Sequence, residues 1–574
     1  MCYLIRLEND DGGQVYHIIK KNFRVDTAPE IPFDSEVSRT DAVAVETPTR
    51  AGAGFIFNER EDEEHISDNN VEPSVGGSRF TRDDIVHYRN QGIEVDDDNE
   101  PAPENAEPPA PTDFLAPTFR RPLFCVRKME DIPDKAGKWN SYSCDKIAKM
   151  SEVDLFRMAF PEEFIFDVII PATNERLCKP TTLREFYVWL GCHFYMACHP
   201  AVSNREMWWA KEDPDMFSGA PFWLEDYMTK TRFLEMSKAL QFTNLPPPTS
   251  FTDRFHDVHQ MINAFNDHYA SEYNPSWINC LDELMSSWMN QFCPGFMFGP
   301  RKPHPFGNEY HTIADGDGGK PVMWRVKLQE GKDRPKKEDK PWAFPSPFEP
   351  RFSKTSVLML EMTKPIHATG RVVTMDSGFC VTEGILALHE FGVFGQALIK
   401  KRGRYWPKGV PGDRIEAHFE GKELGYTETL VQLIDGQRFM VRCMRDTEWV
   451  TKIMTTFGML TEVEDHTTWR KVDGEWRSFK YTEPFSRHNR SKHWVDDVNN
   501  RRHDPVGLEE VWRTKWWPFC QFCFLCSVAE VNAVNSQARA RRCATMPQLD
   551  FRTRLAKGLL NNRLNDYGVH YFHR

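Results

Sequence analysis

The sequence predicts a mixed α/β protein: a core of five strands and a crossover helix, interrupted by a β-rich insertion and flanked by mostly helical segments. Three observations predict it. Short apolar runs of strand length recur between residues 276 and 402, with one helical stretch before the last of them. Residues 403–481 read as further strands. On either side, from about residue 120 and again after 503, the pattern turns helical and aromatic.

Residues 1–118 come first and differ from the rest. Residues 1–120 hold 11 Lys/Arg against 26 Asp/Glu, a net charge of −15, whereas the remainder carries +3 of the chain's overall −12. Runs such as Asp96-Asp97-Asp98-Asn99-Glu100-Pro101 bury too little apolar surface to offset the entropy of ordering, so this region is expected to be largely disordered. Within it, Gln14–Lys20 reads as a small β-like segment. The plainer role for the acidic region is a solvating spacer, with partner binding as the alternative.

Residues 119–275 are expected to be helical. Thr182-Leu183-Arg184-Glu185 is a capping box opening a helix that ends before Pro200, and 224–242 reads as a second amphipathic helix stopped before Pro246-Pro247-Pro248. In 276–402 the strands are placed at Ser276–Leu284, Tyr310–Ala314, Val322–Leu328, Arg371–Met375 and Phe394–Ile399, with Glu383–Phe391 as the crossover helix and Lys332–Pro350 as a surface insertion. The core resumes in 482–502, and 503–574 is read as helices packing back on the first helical region.

The 574 residues include 17 Trp, 15 Tyr and 41 Phe, enough for substantial cores and against a wholly disordered protein. No run of about 18 uninterrupted apolar residues suggests a membrane span, and the start lacks a secretory pattern. Fourteen scattered cysteines favour reduced thiols inside a cell.

Three aspartates carry the chemistry: Asp282 in Leu281-Asp282-Glu283, Asp376 in Met375-Asp376-Ser377-Gly378, and Asp496 in Trp494-Val495-Asp496-Asp497, spaced 94 and 120 residues apart. The first two sit in or just after short apolar runs that read as strands, and the third opens a polar stretch leading toward a helix, so folding has to bring them together. Gathered carboxylates repel unless a cation neutralises them. Such a cluster suits Mg²⁺, and two ions roughly 3.5–4 Å apart serve phosphoryl transfer.

The words around these acids resemble the PiggyBac family of cut-and-paste DNA transposases, from about residue 120 to about 536. In order they are Met228-Thr229-Lys230-Thr231-Arg232-Phe233, Leu240-Gln241-Phe242-Thr243-Asn244, Leu281-Asp282-Glu283, Lys302-Pro303-His304-Pro305-Phe306-Gly307, the Asp376 strand, Gly395–Pro407, Asn489–Asp496 and Lys515-Trp516-Trp517-Pro518. Each is weak alone; the colinear set is specific. The resemblance implies an RNase H-like (DDE) core flanked by a helical dimerisation and DNA-binding domain. It implies Asp282, Asp376 and Asp496 as catalytic metal ligands for two Mg²⁺ ions (Mn²⁺ as substitute). It also implies nicking and strand transfer on double-stranded DNA at TTAA sites, a homodimer, and a nuclear location. The alternative is a domesticated, catalytically inactive DNA-binding derivative.

The chain departs from the family at Ser377, usually Asn; at His493 and Trp494, glycines in some members; and at Asn499, where a further acid is usual. No cysteine follows Cys543, so the family's zinc domain is not evident and the helical regions and basic insertions are expected to bind the ends.

Cations beside the motifs are the candidate phosphate ligands: Arg301, Lys302, Lys400, Lys401, Arg402, Arg404, Arg487, Arg490 and Lys492. Two groups have plainer readings than metal binding. Cys520, Cys523 and Cys526 lie in an apolar helix opened by Pro518, where cysteine packs as a small hydrophobe. His488, His493 and His503 flank Asp496, and contacts to DNA or simple surface positions outweigh ligation.

Overall fold

The computed structural model describes residues 137–564, with breaks that include 211–219, 248–253, 330–347 and 401–409, and short pieces before residue 120. The chain divides into Met1–Glu64 and His65–Arg574. In the first unit, Cys2–Glu8 and Gln14–Lys20 pair antiparallel, so the β-like segment is one arm of a hairpin. Most of 21–118, and most of the insertion at Lys332–Pro350, lies outside the described residues.

Before the sheet, helices start where capping and periodicity agree. Thr182 caps α1 (Leu183–Ala197) by accepting from the Glu185 amide, as the capping box predicts. Thr229 does the same for α2 (Lys230–Ala239) from the Arg232 amide. The helix expected over 224–242 is therefore shorter, and Leu224–Asp226 forms a separate 3-10 turn. Arg232 fastens α2 to α1 through two 2.8 Å hydrogen bonds to Glu185. α3 (His256–Glu272) then leads to the sheet.

β1 (Ile278–Ser287), β2 (Phe306–Asp315) and β3 (Val322–Leu328) form an antiparallel meander. After α4 (Lys354–Thr363), β4 (Val372–Met375) enters parallel to β1; after α5 (Thr382–Glu390), β5 (Phe394–Leu398) lies parallel to β4. The order 3-2-1-4-5 follows from chain chemistry. Parallel neighbours need crossovers, which α4 and α5 supply, and β4 is buried at every position, as a central strand covered on both faces must be.

The segment 403–481 is β-rich as expected, but part of it belongs to the core sheet. After α6 (Gly412–Phe419), β6 (Thr427–Ile434), β7 (Gln437–Arg445) and β8 (Val450–Thr455) form a meander whose last strand pairs antiparallel with β5. With short edge strands the sheet reaches eleven. β9 (Glu462–Val472) and β10 (Glu475–Thr482) form a separate two-stranded ribbon. The chain returns through α7 (Glu483–Ser491) and α8 (Trp494–Arg502), followed by α9 (Leu508–Val511), α10 (Trp517–Arg541) and α11 (Gln548–Leu560).

α10 joins the sheet to the helical part. Asn532 satisfies both the amide and the carbonyl of Met323 on β3, at 2.8 and 2.6 Å. On its other side, Phe522 stacks on Phe242 and meets Phe160 edge-on, and Ser536 accepts from the Trp139 indole. Cys520, Cys523 and Cys526 are buried free thiols whose pKa values burial pushes well up, in line with packing. By length and hydropathy α10 could cross a membrane, yet 94% of its most apolar window is buried in this protein. α1 and α11 approach closely at Gly191, where a Cβ would sit 3.0 Å from Leu559 and Leu560.

Candidate active site

The sheet register brings the first two aspartates together. Met375 at the end of β4 is the backbone partner of Leu281 on β1, so Asp376 and Asp282 follow at the same level. Asp282 is half-buried, and its Oδ1 accepts from the Glu283 amide at 2.8 Å. Asp376 is exposed and caps a short 3-10 turn, Ser377–Phe379, by accepting from the Ser377 amide. Ser377, where the family usually has Asn, thus serves the aspartate through its backbone.

Asp496 arrives on a helix. It stands in the first turn of α8, not in the polar lead-in expected from sequence, because Trp494, Val495 and Val498 bury one helical face. Two contacts seat the elbow between α7 and α8 on the sheet: Ser491 and Thr374 share a 2.6 Å hydroxyl hydrogen bond, and the Cys280 thiol reaches the Lys492 carbonyl at 3.9 Å. Trp494 lies so close over the end of β2 that a Cβ at Gly316 would come within 2.2 Å of its ring. The far end of α8 is held by buried Arg502, which bonds Glu509, the Met285 carbonyl of β1 and Asn499. Asn499, at the position of the family's further acid, therefore supports that arginine.

The three carboxylates act on one another. Asp282 is pushed well above the usual carboxylate range, first by burial, then by the charges of Asp376 and Asp496, against an opposing pull from Lys302. Asp496 is raised by burial and Asp376, opposed by Lys302, His493 and Lys492. Oxygen donors that repel this way fit a hard divalent cation.

The candidate cations separate by position. Lys302 belongs to the turn after Gly299, donates to the Glu283 carbonyl at 3.3 Å and faces two of the three aspartates. Lys492 is half-buried beside Asp496, and Arg490 is exposed with its guanidinium 6.0 Å from the Trp277 ring. Lys400 is half-buried just beyond β5. Arg301, Lys401, Arg402 and Arg404 lie outside the described residues.

Arg487 is a correction. It is buried, ion-paired to Glu483 at 2.7 Å, bonded to Gln396 and the Phe457 carbonyl, and 4.6 Å over the Phe457 ring. Its position on the inward face of α7 turns it to the sheet, so it braces β5 and leaves no guanidinium edge for a phosphate.

His488 is likewise buried, not a surface contact. Sequence reading missed Glu283, Glu309 and His311, which gather next to Asp282: each carboxylate lies 3.7 Å from His311 Nε2. The signal was the period-2 spacing of Glu309 and His311, with His311 paired opposite Glu283.

A family model described as Transposase IS4 matches residues 151–534. Among solved structures, the cryo-EM structure of a piggyBac transposase synaptic complex with hairpin DNA aligns with TM-score 0.52 at 15% identity. The alignment covers 71% of this chain and 80% of that one, a likeness of fold. Comparison with curated proteins gives no match.

Proposed function

Since the chain belongs to the IS4 transposase family, in its piggyBac-type branch, we propose that it is a DNA transposase that nicks and joins DNA at a three-aspartate, two-metal site. The observation that carries the reading is geometric: the strand register sets Asp282 and Asp376 at one level on neighbouring parallel strands, and the elbow that leads into the Asp496 helix is seated on Thr374 beside them.

Two Mg²⁺ ions, or Mn²⁺, would supply charge neutralisation and an activated attacking oxygen when bound. Asp282, Asp376 and Asp496 would hold the ions through their carboxylate oxygens. The Lys302 ammonium, facing Asp282 and Asp496, offers a positive charge to the scissile phosphate. Water attacks that phosphate and breaks its bond to the 3′ oxygen, leaving a 3′ hydroxyl and a 5′ phosphate; the hydroxyl attacks a phosphate of the opposite strand, expelling that strand's 3′ oxygen and closing a hairpin; a second water opens the hairpin, and the 3′ hydroxyl so freed attacks a phosphate at a TTAA target, expelling its 3′ oxygen. Arg490, Lys492 and Lys400 hold the backbone alongside, together with Arg301, Lys401, Arg402 and Arg404. The substrate is double-stranded DNA, engaged by a homodimer through the helical regions, and the working compartment is the nucleus.

The experiment incubates the purified protein and its Asp376→Asn variant with Mg²⁺ and duplex DNA from both flanks of its own gene, and maps broken strands. Cleavage beside TTAA by the wild type alone supports the reading. Binding without cleavage under several metals and salts overturns it in favour of a non-catalytic DNA-binding protein.

A further inference from the structure

Some distance along α8 from Asp496, three side chains from three separate segments meet. His304 comes from the turn that carries Lys302, His503 caps the C-terminus of α8, and Glu510 belongs to α9. Glu510 Oε1 lies 3.0 Å from His304 Nδ1 and 3.4 Å from His503 Nδ1. One donor atom from each of the three falls within 4.8 Å of the others.

We propose that His304, His503 and Glu510 form a binding site for a borderline divalent transition-metal ion of the Zn²⁺ class, separate from the aspartate site. The donor set decides the class. Two imidazoles and one carboxylate suit Zn²⁺ or its neighbours in the first transition row, whereas Mg²⁺ prefers oxygen alone. Spacing agrees: tetrahedral ligands about 2.0–2.1 Å from zinc stand roughly 3.3 Å apart, and the two measured separations bracket that value.

An independent observation points to a ligand. The His503 side chain is only 7% exposed, yet its Nε2 has no hydrogen-bond partner and its Nδ1 meets only Glu510, at a long 3.4 Å. A buried ring nitrogen without a partner is costly. Gly507 packs closely against this ring, since a Cβ there would sit 2.7 Å from His503 Nδ1. The other two side chains are each 34% exposed, giving an ion an entry path and water a place in the fourth position.

The two rings stack 3.8 Å apart at 14°. Binding would splay them so that both lone pairs meet one ion. The site would then tie the turn holding Lys302 to the end of the helix holding Asp496, setting the spacing of a cation and a carboxylate that face each other.

The test titrates the full chain with Co²⁺, in the Asp376→Asn background to weaken the competing carboxylate site. Visible d–d absorption is compared with that of His304→Gln, His503→Gln and Glu510→Gln variants in the same background. The expected result is one tightly bound equivalent, displaced by Zn²⁺ but not by excess Mg²⁺, and weakened more than about tenfold by each substitution, since even outer-shell losses cost about 10–100-fold. His304→Gln, on a half-exposed turn, keeps the test valid if His503→Gln fails to fold. No absorption in the parent, or the same spectrum and stoichiometry in the His304→Gln and Glu510→Gln variants, overturns the proposal and leaves a hydrogen-bonded His–Glu cluster.

Discussion

Leu281 and Met375 are backbone partners across two parallel strands, and the residues after them, Asp282 and Asp376, are the first two acids of the candidate site. Everything else about the site follows from how a third acid reaches that pair.

Removing one charge without changing shape should stop the chemistry. Asp376→Asn should lower Mg²⁺-dependent strand cleavage by roughly 10³-fold or more, since several kcal/mol of charge stabilisation is lost. Quantified cleavage of labelled duplex checks it. A variant that cuts at the wild-type rate removes Asp376 from the mechanism.

Metal should stabilise the folded chain because it neutralises Asp282, which burial first and then the charges of Asp376 and Asp496 hold above its ordinary range. At a Mg²⁺ or Mn²⁺ concentration of 100 times Kd the gain is about 2.7 kcal/mol. A thermal melt should therefore shift upward with metal and return with chelator. Asp282→Asn should melt higher than wild type without metal and respond less to it.

Arginines on neighbouring helical turns should behave oppositely. Arg490→Ala should weaken DNA binding and reduce the slope of log affinity against log salt by about 1. Arg487→Ala should leave that slope unchanged and instead destabilise the fold, because it strands Glu483 and Gln396. Parallel salt titrations and urea melts separate the two outcomes.

Acid should destabilise the protein through His488. Burial, then Lys492, His493 and Arg487, lower its pKa from 6.5 to about 3. The unfolded chain therefore takes up a proton near pH 6.5 while the folded one refuses it until about pH 3. Its contribution is fully present above 6.5 and is lost as pH falls through that window, by about 2 kcal/mol at pH 5. His488→Phe should make the urea midpoint less dependent on pH between 7 and 5; an unchanged slope would sink the assignment.

Glu530 on α10 and Arg552 on α11 form a fully buried pair with contacts of 3.0 and 2.9 Å. Glu530→Gln should cost about 3–5 kcal/mol, the usual result of leaving one buried charge without its partner. Replacing both with Met should recover much of that loss. Urea unfolding of the single and double variants measures it.

Much of this molecule was legible in the sequence because local pattern and long-range position coincide. The strand at Val322–Leu328 agrees to the residue, and Thr182 announces α1 through its own capping chemistry. Asp282 and Asp376 stood out as acids in or just after apolar strand runs, and the register sets them at one level. What could not be read depends on orientation. Arg487 and Arg490 differ by three residues, and only the direction of α7 against β5 decides which is buried. The continuation of the sheet through β8 needed a pairing with β5, and His304, His503 and Glu510 are separated by chain too long for any spacing rule to connect.

The lateness of α8 has a consequence for synthesis. A ribosome that has emitted the five-strand sheet has produced only two of the three acids, and the elbow that seats the third on Thr374 comes more than a hundred residues after that threonine. A chain cut short before that elbow could keep much of its sheet yet lack a complete carboxylate set. Premature termination before the elbow would thus yield a chain that has Asp282 and Asp376 but not Asp496.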